Sequence, residues 1–174
     1  MEQPGAPSIT KIATKYGLIQ GVLAFIVFIA GTLAAVQRNW VASTVDTALL
    51  VVLMVLAHRE YKSTHEGKMT YPQGLGSGTL LATVAAVISC ILVYIYVKFI
   101  NTGYLAALLK VQQAALEQRG MTAAQAQQAM AITSAIMTPV GLVVTSLITG
   151  VIVGFIVALI VSIFTQKANP RAVV

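Results

Sequence analysis

Four long apolar stretches, parted by polar breaks and one mixed segment, set the pattern of this chain. The plainest begins at Gly74 and ends at Ile100, with no charge between Lys68 and Lys98. About 20 apolar residues, rising about 1.5 Å each, cross the ~30 Å hydrocarbon core of a bilayer. In lipid such a run has to be helical, because a helix pairs its own backbone N–H and C=O groups. The pattern predicts a transmembrane span over 75–100, ending in Tyr94, Tyr96 and Lys98 at a membrane interface.

The other three stretches carry their own punctuation. Lys11 and Lys15 precede an apolar run from Tyr16 that stops at Gln37, Arg38 and Asn39, predicting a span over 16–37. Its apolar run exceeds the ~7–15 residues of a signal-peptide core, so it is read as a retained span. Gly17 and Gly21 give it a face for close approach. A second span is predicted over 43–58. Trp40 belongs to an interfacial belt, and Ser43-x-x-Asp46 has the form of a capping box. The competing reading makes Asp46 an ionisable group inside the membrane, with Gln20 of the first span as a second intramembrane polar residue. Thr138-Pro139 pairs a cap with proline at the first helical position and opens the fourth span, 138–165.

Small residues recur every fourth position on two of these spans. Gly74, Gly78, Ala82, Ala86 and Cys90 form one ridge, and Ser146, Gly150, Gly154, Ala158 and Ser162 form the other. Ridges of this kind let helix backbones approach closely, within one chain or between chains. Cys90 is read as a small packing residue.

Two segments lie between spans. From His58 to Gln73 the chain is polar and is read as a solvated loop; His58 and His65 stand too far apart for the paired spacing of a zinc site, so no metal is expected. Gly74, Gly76 and Gly78 follow no strand and precede no Lys-Ser/Thr, which sets aside a phosphate loop. Over 103–136 lies a helical arm. Leu105, Leu108, Leu109, Gln112 and Leu116 share one side of its first half, Gly120 interrupts it, and Thr122-x-x-Gln125 is a second capping box. Its apolar stripe needs cover, from its own bundle or from a partner.

The expected architecture is therefore all-α: a polytopic membrane protein of four transmembrane helices, with an amphipathic helical arm between the third and fourth. Residues 1–10 are a disordered lead, 11–167 one membrane domain and 168–174 a tail. Composition agrees, since 57% of the 174 residues are hydrophobic and 9% charged, against about a quarter charged in soluble domains. The net charge of +6 sits singly at span ends rather than in a patch, which excludes a nucleic-acid partner. Lys11, Lys15, Arg59, Lys62, Lys68, Lys167 and Arg171 fall on one side, and Arg38, Lys98, Lys110 and Arg119 on the other. The richer side marks the cytoplasm, placing both termini there and the arm outside.

Several short motifs together resemble a bacterial membrane-protein family known as domain of unknown function 4199. They are Lys15-Tyr16-Gly17-Leu18-Ile19-x-Gly21, His58-Arg59-Glu60-Tyr61, Gly67-Lys68-Met69-Thr70-Tyr71 with Gly78, Gly120-Met121-Thr122, and Thr138-Pro139. The resemblance implies a small four-span protein of the bacterial inner membrane and assigns no activity.

Reactive chemistry is sparse. The spans hold Asp46 as their one potential charge, with Gln20, Thr83, Ser89, Thr145 and Thr149 as polar residues. No nucleophile–base set, cofactor motif or metal cluster stands out, so no enzyme and no cofactor are expected. The ridges suggest an accessory or scaffold subunit acting through helix contacts. Its partners would be the lipid bilayer and another membrane protein or a second copy, through Gly74, Gly78, Ala82, Ala86, Ser146, Gly150, Gly154 and Ala158. The alternative is a small oligomeric transporter or channel, with Asp46 and Gln20 as its polar site.

Overall fold

The computed structural model describes residues 7–34, 40–119 and 121–167. Among them the fold is all-helical: α1 (Ile9–Leu33), α2 (Trp40–Thr64), α3 (Tyr71–Ile95) continued by a π-helical turn (Tyr96–Ile100), α4 (Tyr104–Gln118), α5 (Ala123–Ile136) and α6 (Pro139–Thr165). Four of these, α1, α2, α3 with its π turn, and α6, are long and apolar enough to cross a membrane.

Helix ends follow their caps rather than the limits of apolarity. α1 begins at Ile9, where the Ser8 hydroxyl accepts the Lys11 N–H, so Lys11 and Lys15 lie inside the helix and residues 9 and 10 are not part of an unstructured lead. At its far end, the expected stop at Gln37, Arg38 and Asn39 lies outside the described residues, as does the side chain of Trp40. α3 opens on a full capping box: Thr70 accepts the Gln73 N–H, Gln73 reaches back to the Thr70 N–H, and Pro72 fills the first turn.

α2 corrects the expected boundaries at both ends. Ser43 is no cap; it lies within the helix, and its carbonyl accepts the Thr47 hydroxyl at 2.8 Å. The segment after His58 is no loop, because α2 continues to Thr64 and only 65–70 form the turn. That turn passes through left-handed backbone at Glu66 (φ 52°) and Gly67 (φ 74°). Lys68 hydrogen-bonds Glu66 there and holds its carboxyl below the usual carboxylate range.

α3 is the centre of the bundle, in close contact with α1 on one side and α6 on the other. Against α1 the contact is parallel. A Cβ on Gly17 would stand 2.8 Å from the Leu81 carbonyl, and one on Gly21 would stand 2.7 Å from Ile88 Cβ. Against α6 the two small-residue ridges interlock in antiparallel register, Gly74 with Ser162, Gly78 with Ala158, Ala82 with Gly154 and Ala86 with Gly150. Both ridges are thus occupied within one chain. Met54 and Leu81 are fully buried beside them, while Ile148, Ile152, Ile156, Ile160 and Ile163 of α6 face outward as a lipid-facing row does.

At the end of α3 the π turn wedges Tyr96 and Val97 inward. Tyr96 lies edge-on to Phe25 and Phe28 and is buried, whereas Tyr94 is partly exposed and accepts a hydrogen bond from Lys98. Tyr104 and Leu105 of α4 pack on the same cluster, fastening the arm to its own bundle. The Thr122–Gln125 capping box is present at the start of α5. Thr122→Ala should cost about 1 kcal/mol of local stability. Hydrogen exchange should then quicken over residues 123–128, with the rates of α3 and α6 unchanged.

Candidate functional site

Polar groups gather in two places. The first is the end of the bundle where the 65–70 turn meets residue 167. His58 is only 1% exposed there. The Thr165 hydroxyl donates to the Val161 carbonyl at 2.8 Å, so at the 2.7 Å contact between Thr165 Oγ1 and His58 Nδ1 the imidazole N–H is the donor. His58 Nε2 is buried with no hydrogen bond of good geometry, although the Gly74 backbone lies beside the imidazole, and Ser162 Oγ is likewise buried without a partner among the described residues. Lys62 Nζ adds a bond to the Thr165 carbonyl at 3.0 Å. Met69 and Lys167 close the end with an antiparallel backbone bridge. From α1, Lys15 pairs with Glu60 at 2.6 Å and the Tyr16 hydroxyl donates to Glu60 at 2.8 Å. The region expected as solvated loop is therefore a bonded cap joining α1, α2, the 65–70 turn and α6. Sequence reasoning missed His58 because its neighbours Arg59, Glu60 and Lys62 made the whole stretch look solvated.

The second place is a cleft of about 520 Å³ toward the opposite end, between α2 and α6 over α3, with α1 contributing Ala24, Val27 and Phe28. Its polar lining residues, among those described, are Asp46, Ser43, Thr47, Ser89, Thr145, Ser146, Thr149 and Cys90. Among the described residues no Lys, Arg or His lines it. Asp46 is half-buried. The Gln20 amide, 2% exposed, donates Nε2 to Asp46 Oδ1 at 3.0 Å and to the Asp46 carbonyl at 3.3 Å. These two contacts fix the amide's orientation and leave Gln20 Oε1 buried without a partner among the described residues. Gly21, next along α1, touches Ala85 and Ile88, which sets Gln20 level with the middle of α3.

The structure thus brings the two intramembrane polar candidates, Asp46 and Gln20, into direct contact, and the capping role expected of Asp46 does not occur. Ser146 and Gly150 do double duty: they belong to the α6 ridge and also line the cleft. Gly74, Gly78, Ala82, Ala86, Gly154 and Ala158 serve packing inside the chain. The cleft had a visible signal in the polar residues of α6, Thr145, Ser146 and Thr149, which recur at helical spacing within an apolar run. Among the described residues no group of three His, Cys, Asp or Glu is placed to hold a metal ion.

A family model described as "Protein of unknown function (DUF4199)" matches residues 15–167. The chain belongs to this DUF4199 family. The match takes in both polar places, with Lys15 of the bonded cap at its first position and Lys167 of the backbone bridge at its last. No curated protein and no solved structure matches the chain.

Proposed function

We propose that this DUF4199 protein is a multi-pass protein of the bacterial inner membrane, with both termini cytoplasmic, that binds a small solute in the Asp46 cleft. It works as a small transporter or solute receptor, without bond-making chemistry. The observation that carries this reading is that half-buried Asp46 lines, with Ser and Thr residues, a cleft between helices whose outer faces are apolar. An ionisable group at such depth is costly unless it serves a ligand or an ion path. A volume of about 520 Å³ is of the size that holds small organic ligands.

The accessory-subunit reading rests on less than the ridges suggested, because α3 and α6 use them on each other. Its remaining support is the outward apolar surface of the arm, including Ile132 and Ile136.

Water access tests the solute reading. With Cys90 replaced by Ala, single cysteines at Ser146 and Thr149 should react with a charged, membrane-impermeant thiosulfonate in lipid vesicles. Cysteines at Ile148 and Ile152, on the lipid-facing row, should react at least about tenfold more slowly, since lipid excludes the reagent. Equal inertness at all four positions would mean a lipid-filled cleft and would end the proposal.

A further inference from the structure

We infer that the cleft takes an organic cation: a singly charged ammonium or phosphonium-like group on an apolar body, held by Asp46. This rests on the solute-binding reading above and names the class of solute. Charge is the first argument. Among the described residues the lining contains one acidic residue, Asp46, and no basic one, so an anion held by these residues would meet repulsion. Gln20 supplies a neutral amide N–H to Oδ1, which orients Asp46 without neutralising it. A cation completes the pair.

Size and wall chemistry narrow the class. A bare metal ion would need several oxygen ligands at about 2.0–2.6 Å, and a cleft of about 520 Å³ is far too large to close around one. Beside the hydroxyls the wall is apolar, with Ala24, Val27, Phe28, Val93, Leu142 and Val153. A sugar or other all-polar solute would leave that half of the wall uncovered, whereas an apolar body fills it.

The test uses the full chain in maltoside micelles, free of amine lipids, with tetraphenylphosphonium as probe in equilibrium dialysis against empty micelles. Saturable binding is expected, weakened at least about tenfold by Asp46→Asn and largely retained by Asp46→Glu. Asparagine keeps a carbonyl for the Gln20 N–H, so an unchanged unfolding temperature separates lost charge from lost fold. Neutral triphenylphosphine oxide should bind more weakly and with no dependence on Asp46. Equal affinity of wild type and Asp46→Asn for the cation, or tighter binding of the neutral probe, would overturn the cation assignment while leaving a solute cleft in place. Absence of saturable binding by either probe also overturns it, and the cleft itself is then judged by the cysteine reactivities alone.

Discussion

Gly154→Leu is expected to prevent stable folding. Where α3 and α6 cross, a Cβ on Gly154 would overlap the Ala82 methyl, and the two backbones leave no third direction for it to take. Overpacking of a well-filled contact costs typically 1–3 kcal/mol. Leucine adds three further carbons at the tightest point of the bundle, so the loss should reach about 3 kcal/mol or more, against total stabilities of about 5–15 kcal/mol. In detergent the variant should aggregate or lose its thermal transition. Gly76→Ala is the matched control, since no atom comes within 4 Å of its added Cβ, and it should leave the transition where it was. A stable Gly154→Leu protein that merely fails to associate would place the ridge between chains instead of within one.

His58→Ala should be nearly as damaging, for a different reason. It empties a site that is 1% exposed and takes away the N–H that Thr165 accepts. Large-to-small changes in a core cost about 2–5 kcal/mol, and the lost hydrogen bond about 1 kcal/mol of that. A loss of about 3 kcal/mol is expected, read as a lower unfolding temperature. Hydrogen exchange should quicken at residues 69–74 and 162–167, the elements that His58 joins. His58→Asn offers a local test: its amide N–H can replace the imidazole donor toward Thr165, so it should recover part of the stability although it fills less space. If asparagine and alanine behave alike, the hydrogen bond contributes little and packing accounts for the effect.

Most of the architecture was legible, because span length and apolarity are chemical necessities in lipid and leave little else to decide. The four spans, the arm and the Thr122 capping box all follow from local pattern. Three things did not. Ser43 and Asp46 sit in the spacing of a capping box, but that spacing equally puts a carboxylate on the inner face of a helix. Only the arrival of Gln20 from α1 decides between them. Charge at Arg59, Glu60 and Lys62 suggested solvent, yet the helix continues through the charged run while His58 and Tyr61 within it turn inward. The ridges were visible as surfaces, but periodicity carries no record of the partner. Their antiparallel register against each other is a property of three dimensions.

The backbone bridge between Met69 and Lys167 has a consequence for biosynthesis. It joins the turn that precedes the central helix to Lys167, two residues beyond the end of α6. A chain emerging from the ribosome N-terminus first must therefore insert α1, α2 and α3 and then make the whole arm before α6 exists. Throughout that interval the α3 ridge around Gly74 and Gly78 lacks its neighbour, and the His58 imidazole has no Thr165 to bond. Until α6 is made, the α3 face is an open trough, and α6 closes it only after the arm has been synthesised.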